Sequence, residues 1–309
     1  MGCNGSVEIL VEPVSVPDQI DTLEFLNNCY IDRQPAVLGT IIGGAGIDDT
    51  ELGSVIAVRP DFNLIADRVK PAILQEAIEG ARRVLDLRCS EIVSICSDAQ
   101  QISLFLEFIQ PPIKLLICGA GADAVPVSTM AKQLGWNVVI ADPRPEYARA
   151  EHFPLADRVV CGDAASVAKE IASSERTAVL IMTHNYSHDL DYLRRSMISD
   201  AAYIGLLGPK QRTIRLLQEL KTDGISPTPE QFERLHAPVG LDIGAETEEE
   251  IALSAVSEVQ AAMSSRAAGF LRDKKGSIHA DRHLIEIVST DVHGGQQSKS
   301  WSAQKCPLD

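Results

Sequence analysis

Three short runs in the second half of the chain are apolar at every position. They read LLIC at 115–118, VVIA at 138–141 and AVLIM at 178–182, and helix-like patterns lie between them. A strand with one solvent-exposed face alternates apolar and polar residues, whereas a strand buried on both faces is apolar throughout. Parallel strands joined by helices are buried in this way. The sequence therefore predicts an α/β fold with a Rossmann-like, doubly wound parallel sheet.

The Pro111-Pro112 dipeptide separates this half from a region with a different pattern. Before it, β-rich runs, one of them at 7–11, surround helical patterns at 18–29 and 70–85. We predict three parts: a partial, smaller α+β domain at 1–110, the Rossmann-like domain at 111–265 and a flexible tail at 266–309 that is rich in Gly, Ser, Lys and Gln. Within the second part we expect helices from 124 and at 165–172, 189–196, 210–220 and 248–263.

Composition excludes several classes of function. The 309 residues carry a formal net charge of −15, which is opposite to the clustered positive charge that binds nucleic acid and is also unfavourable on an anionic membrane. The apolar runs are shorter than the ~20 residues that span a bilayer. The seven cysteines are scattered and form no CxxC pair, which is typical of reduced thiols. We therefore predict a cytoplasmic location, with neither nucleic acid nor membrane as a partner.

The first loop of the predicted sheet has the spacing of a phosphate-binding turn. Gly119 and Gly121 follow the strand at 114–118, a helix opens at Ala124, and the next strand ends at Asp142. Glycines permit a tight turn and the approach of a phosphate to the backbone, and an acidic residue at the end of the second strand binds a ribose hydroxyl in dinucleotide sites. Asp123 opposes this interpretation because it would repel a pyrophosphate. Alternatively, the glycines only tighten the turn.

Two further loops end neighbouring strands. His184 directly follows the strand at 178–182, where polar groups face the ligand crevice of such folds, although Asn185 next to it could simply cap a helix. After the following strand, Gly205 and Gly208 would let backbone approach a ligand.

The segment HAPVGLDIGAETEEE at 236–250 is dense in glycine and polar residues. Thr247 and Glu250 form a capping box for the helix that follows. This capping does not explain His236, Gly240 and Asp242, which we therefore regard as candidate binding residues.

These loops, in this order, resemble the XdhC/CoxI family, the xanthine dehydrogenase accessory factors. The resemblance is carried by PPIKLLICGAGADAVPVSTMAKQLGWNVVIADPR, FPLADRVVCGDA, AVLIMTH, AAYIGLLGPKQR and HAPVGLDIGAETEEEIALS, which together cover roughly 111–263. It implies a chaperone that binds the molybdenum cofactor (molybdopterin), shelters it while a cysteine desulfurase supplies its terminal sulfur, and delivers it to xanthine dehydrogenase or a related molybdenum hydroxylase.

The N-terminal residues MGCNGS have two interpretations. Gly2 and Ser6 match an N-myristoylation pattern, and Cys3 could carry a second acyl chain. In the family that the chain resembles, however, a Gly-Cys-x-Gly turn followed by a strand lies inside the N-terminal domain, and the upstream GSxPR and SGGC stretches of that domain do not occur here. We therefore expect the chain to start within a shortened domain, which is compatible with a homo-oligomer, and the lipidation match to be a coincidence. Cys3 is the cysteine that the resemblance implies as a cofactor contact.

The sequence thus predicts a cofactor-binding assembly factor without turnover chemistry of its own. An NAD(P)-binding oxidoreductase that uses Asp142 on a ribose is the alternative, and a docking module that binds no cofactor is a third. For the first interpretation the predicted cofactor-binding residues are Gly119, Gly121, Asp142, His184, Gly205, Gly208, His236, Gly240, Asp242 and Cys3.

Overall fold

The computed structural model describes residues 9–11, 22–45, 47, 51–61, 64–66, 69–97, 100–172 and 176–275. Of these, Pro112–Phe270 form one compact unit, and the described residues before Pro112 form another together with 271–275. Cys3 and most of the predicted tail lie outside the described residues.

The N-terminal unit is an antiparallel sheet with helices. Its elements are α1 (Thr22–Asp32), β1 (Ala36–Ala45), β2 (Val55–Val58), β3 (Leu64–Ala66), α2 (Pro71–Leu87), β4 (Glu91–Ser97) and β5 (Gln100–Ile109). The strand order is β3-β2-β1-β5-β4, and each neighbouring pair is antiparallel. Helix α2 places Ile73, Ala77, Ala81 and Val84 on one face at helical spacing, and all four are buried against the sheet.

One predicted strand of this unit is not formed where the structure describes it. Residues 9–11 of the predicted run at 7–11 have no regular secondary structure, and the side chains of Ile9 and Val11 are 78% and 84% exposed. An apolar run becomes a strand only when it pairs with another one, and no strand in the described ranges pairs with these residues.

The second unit alternates strands and helices. Its elements are β6 (Lys114–Cys118), α3 (Ala124–Gln133), β7 (Asn137–Asp142), β8 (Arg158–Cys161), α4 (Ala168–Ile171), β9 (Thr177–Ile181), α5 (Tyr186–Met197), β10 (Tyr203–Leu206), α6 (Lys210–Thr222), α7 (Pro229–Glu233), β11 (Leu235–His236) and α8 (Glu248–Met263). Short 3-10 helices occur at Ala150–His152 and Leu271–Asp273.

The strand order of this unit is that of a Rossmann fold. The six strands that the described residues contain run β11-β10-β9-β6-β7-β8, and every neighbouring pair is parallel. Counted from β6 this is the order 3-2-1-4-5-6, in which the chain reverses direction across the sheet between β6 and β9. The predicted fold class, a Rossmann-like parallel sheet preceded by a smaller α+β domain, is confirmed.

Both faces of the parallel sheet are covered, which explains the unbroken apolar runs. Leu115 and Ile117 point to the side covered by α3 and α8. Leu116 and Cys118 point to the opposite side, where they pack with side chains of α4, α5 and α6. Since neighbouring residues of a strand face opposite sides, both sets of side chains must be apolar.

Some element boundaries differ from the prediction. The helix expected at 165–172 is confined to Ala168–Ile171, because a turn at 164–167 precedes it. The sequence did not predict β3, α7 or β11, which are three, five and two residues long and too short to produce a clear periodicity. In the described part of the chain no helix combines the length and the apolar character needed to cross a bilayer.

A charged cluster ties together the amino end of the parallel sheet, opposite the loops considered below. Lys114 begins β6 and is almost fully buried, and its ammonium group binds Glu170 of α4. Arg158, which begins β8, binds the other oxygen of the same carboxylate. Glu170 therefore compensates a buried charge and joins two strands to a helix.

We predict that Glu170→Gln lowers the free energy of unfolding by roughly 1–3 kcal/mol, because the buried ammonium group loses its ionised partner. Urea denaturation of the two proteins measures this. Glu151→Gln is the matched control: Glu151 pairs with Arg149 at 3.5 Å on the surface, and its loss should cost less than about 0.5 kcal/mol. Equal effects of both substitutions would contradict the assigned role of Glu170.

Candidate functional site

The loop after β6 packs directly against the end of β9. Gly119 has a φ of +117°, and a Cβ atom there would lie 2.5 Å from the carbonyl oxygen of Met182. Only glycine combines this backbone conformation with this close approach. The structure therefore places the glycine loop at the switch point between β6 and β9, where open α/β sheets bind ligands.

The loop presents unpaired backbone amides. The amide of Ala120 is bonded within the protein, but those of Gly121, Ala122 and Asp123 donate to no acceptor in the described ranges. They precede Ala124, the first residue of α3, where the helix dipole adds partial positive charge. Free amides at such a position are suited to an anion such as a phosphate group.

Asp142 is the buried support of this loop. Its side chain is fully buried, and its Oδ2 atom accepts the amide of Ala120 at 2.9 Å and Nη2 of Arg144 at 2.8 Å. Its Oδ1 atom accepts the amide and Nε of Arg144, each at 2.9 Å. Burial raises the pKa of Asp142, but the hydrogen bonds from Arg144 and from the backbone lower it further, so the net pKa lies below the ordinary value. The geometry supports an indirect role, because Asp142 holds the loop and presents no exposed oxygen to a ribose.

Arg144 is the exposed group at the end of β7. Its guanidinium carbon lies 3.8 Å from the centre of the Tyr147 ring, and 34% of its side chain is exposed. The bonds to Asp142 fix its orientation and raise its pKa. The sequence analysis did not select Arg144. The prolines on either side of it, Pro143 and Pro145, indicated a rigid loop at this strand end and were the available signal.

His184 reaches the same loop from the other side. Its Nε2 atom lies 2.7 Å from Oδ2 of Asp123, although the two residues are 61 positions apart. The histidine is 65% exposed and has a left-handed φ of +56°, which is uncommon outside glycine. The other oxygen of Asp123 lies 2.6 Å from where a Cβ atom on Gly121 would be. The carboxylate of Asp123 therefore covers Gly121 and is held there by His184.

A buried ion pair fixes the backbone around His184. Asp189 is 1% exposed and accepts the hydroxyl of Thr183 at 2.5 Å and its amide at 3.2 Å. Arg212, near the start of α6, donates to the other oxygen of Asp189 at 2.5 Å. Asn185 caps α5 by accepting the amides of Ser187 and His188, so the capping alternative considered for this residue describes its role.

Gly205 lies in a different environment from the glycine loop. It is buried inside β10, and a Cβ atom there would lie 2.8 Å from Cγ2 of Val239 and 3.0 Å from side-chain atoms of Leu180 and Tyr203. This glycine makes room for packing. Gly208 follows the strand and lies close to Arg212, whose Cδ atom would be 3.1 Å from an added Cβ atom.

The polar residues of the 236–247 loop converge on Glu258 of α8. Its carboxylate accepts the hydroxyl of Tyr203 at 2.6 Å and the amide of Gly240 at 2.8 Å, and Nδ1 of His236 lies 3.3 Å away. The rings of His236 and Tyr203 stack with their centres 4.3 Å apart. Burial raises the pKa of Glu258, but the bonds from His236, Tyr203 and Gly240 together lower it below its ordinary value. This arrangement fastens the loop to the helix.

The predicted site residues thus fall into two groups. Gly119, Gly121 and His184 meet at the switch point with Asp142 beneath them, whereas His236 and Gly240 meet at Glu258. Asp242 is exposed and has no hydrogen-bond partner among the described residues. The sequence analysis missed Glu258 and Tyr203, because a glutamate within a helix and a tyrosine that opens a strand have no distinctive pattern. In the same part of the chain, no three side chains of His, Cys, Asp or Glu are grouped so that they could hold a metal ion.

The strand order, the switch point and the free amides define the second unit as a Rossmann-type ligand-binding domain. Residues 115–259 match the family described as the XdhC Rossmann domain. This unit of the chain therefore belongs to that family, and the resemblance found in the sequence is confirmed.

Similar proteins include a probable xanthine dehydrogenase component from Bacillus subtilis, which is 37% identical over 160 residues, 52% of this chain and 46% of that protein. The uncharacterized protein YqeB from Escherichia coli is 29% identical over 213 residues, 68% of this chain and 38% of that protein. The matched part thus spans less than half the length of each of these curated relatives. A crystal structure of a xanthine dehydrogenase from Bacillus halodurans is similar with a TM-score of 0.47 and 22% identity, covering 80% of this chain and 96% of that one.

We predict that Glu258→Gln lowers the free energy of unfolding at pH 7 by about 1–3 kcal/mol, because an amide cannot accept from three donors. A carboxyl group whose pKa is lowered by folding stabilises the folded state above its unfolded pKa of about 4.3, and this contribution is lost as the pH falls through the folded pKa. The difference between the two proteins should therefore shrink between pH 7 and about pH 3, as measured by urea denaturation. The control Glu249→Gln, at an exposed position of the same helix, should change stability by well under about 1 kcal/mol. A difference that stays constant with pH would contradict this role of Glu258.

Proposed function

We propose that this chain is an accessory factor of the xanthine dehydrogenase system that binds the molybdenum cofactor at the glycine loop. The observation that carries the proposal is the set of free amides at 121–123 at the switch point of a domain of the XdhC family. The relative from Bacillus subtilis, with a name from the xanthine dehydrogenase system, supports the choice of system.

The residues at the loop fit the phosphate group that the cofactor carries. Three backbone amides and the amino end of α3 provide hydrogen-bond donors, and the fixed guanidinium group of Arg144 provides a full positive charge. Arg144 and Ala120 bind the same oxygen of Asp142, so the charge lies next to the loop. When bound, the cofactor would supply the redox chemistry of the enzyme that receives it. This chain's residues would bind the cofactor, orient it and shield it from water.

The same proposal names the partners. A cysteine desulfurase would supply the terminal sulfur of the cofactor, and xanthine dehydrogenase or a related molybdenum hydroxylase would receive the product. Both follow from the family to which the second unit belongs. His184, His236 and Asp242 are the further side chains at the carboxyl edge that we propose as contacts of the cofactor.

An NAD(P)-binding oxidoreductase was the alternative. It depended on a free carboxylate at the end of β7, and both oxygens of Asp142 are bonded to Arg144 and Ala120. The glycine loop does not by itself distinguish the two ligands, so we retain NADPH as a competitor in binding experiments.

The proposal is tested by expressing the chain in a host that makes the cofactor and measuring molybdenum and pterin in the purified protein. Near-stoichiometric amounts of both are expected. A folded protein that carries neither, yet is captured together with a molybdenum hydroxylase, would show that the chain is a docking module and would contradict cofactor binding.

We predict that Asp123→Asn raises the retained cofactor. The carboxylate of Asp123 lies over the loop that would hold the phosphate, and removing one like charge at this range changes affinity by roughly 3- to 10-fold. Asp191→Asn is the matched control, because it removes the same charge from an exposed position of α5, where Asp191 pairs with Arg194. Molybdenum per chain after gel filtration is the measurement. A folded Asp123→Asn protein that loses its cofactor would contradict a phosphate group at this loop.

A further inference from the structure

The end of β7 carries a surface that the sequence analysis did not assign. In a Rossmann fold, the residue presented at the end of the second strand contacts the nucleoside, an acidic residue binding the ribose hydroxyls and an arginine a phosphate. In this chain the acidic residue at that position, Asp142, is buried beneath the loop, and Arg144 is the group that reaches solvent. The strand end is therefore built around a guanidinium group.

Three contacts fix this guanidinium group. Its Nε and Nη2 atoms donate to the two oxygens of Asp142, and its carbon lies over the ring of Tyr147. The backbone amide of Arg144 also binds Asp142. Its Nη1 atom has no acceptor in the described ranges. An arginine that is already ordered loses little conformational entropy when a ligand binds, so a contact at Nη1 and at the exposed part of the group is favoured.

The chemistry of the surface selects a class of ligand. Guanidinium groups bind phosphate oxygens through paired N–H groups and stack on planar heterocycles. Tyr147 is 39% exposed and adds aromatic surface beside the cation. Inorganic phosphate would use the first property only, whereas a nucleotide would use both.

We propose that the Arg144–Tyr147 surface binds the nucleotide part of a ligand whose remainder lies at the glycine loop. This inference rests on the proposed function in one respect: if the ligand is the molybdenum cofactor, the chain recognises its nucleotide-extended form. A nicotinamide dinucleotide has the same nucleotide chemistry, and the experiment separates the two sources.

The experiment is calorimetric titration of the full chain with GDP, CDP, ADP, NADPH and inorganic pyrophosphate. At least one nucleoside diphosphate should bind about tenfold or more tightly than pyrophosphate, which equals ~1.4 kcal/mol for the nucleoside. Arg144→Ala should remove most of this difference. The matched control Arg149→Ala removes an exposed charge of the same loop, paired with Glu151, and should leave it unchanged.

A second variant guards against misfolding, because Arg144→Ala leaves the buried Asp142 without its partner. Tyr147→Leu keeps that pair and removes only the aromatic ring, and it should weaken nucleoside diphosphate binding severalfold while pyrophosphate binding stays unchanged. Thermal unfolding of each variant verifies the fold.

The outcomes separate this inference from the proposed function. Equal affinity for pyrophosphate and every nucleotide would overturn the nucleotide surface while leaving cofactor binding intact. Loss of nucleotide preference in Arg149→Ala but not in Tyr147→Leu would overturn the assignment to Arg144 and Tyr147. NADPH binding far tighter than every nucleoside diphosphate, lost in Tyr147→Leu, would support the surface and contradict the molybdenum cofactor as its ligand.

Discussion

The candidate site depends on one buried carboxylate. Asp142 accepts the amide of Ala120 and three donors of Arg144, so it shapes the glycine loop and orients the cation beside it. A buried carboxylate is costly unless it is fully paired, and this one is paired only when the loop and the arginine occupy their observed positions. The loop, the end of β7 and the Tyr147 ring are therefore held as one arrangement.

The electrostatics of the crevice are balanced rather than uniformly positive. Arg144 and the amides at 121–123 favour an anion, whereas the carboxylate of Asp123 lies over the loop and is held by His184. A carboxylate at a helix start suits the helix dipole in the absence of a ligand and opposes a phosphate when one arrives. Such a loop favours release as well as binding, which is what a carrier of a cofactor requires.

Much of the fold could be predicted from the sequence, because the apolar strands must be buried on both faces and the order of loops follows from parallel topology. The positions of Gly119 and His184 followed from the same logic. The partners could not be predicted, since they depend on long-range contacts: Asp123 meets His184 across 61 positions, and Glu258 meets Tyr203 across 55. For that reason Asp142 was expected to face a ligand and lies beneath the loop instead, and Glu258 was not recognised at all.

Hydrogen exchange of the full chain, with and without bound molybdenum cofactor, tests the central claim that the switch point between β6 and β9 is the binding site. The amides at 121–123 have no acceptor in the described part of the protein and should exchange quickly in the free chain. The account predicts that the cofactor protects peptides covering 119–125 and 142–148. Protection confined to the N-terminal unit, or to the 236–247 loop alone, would contradict it.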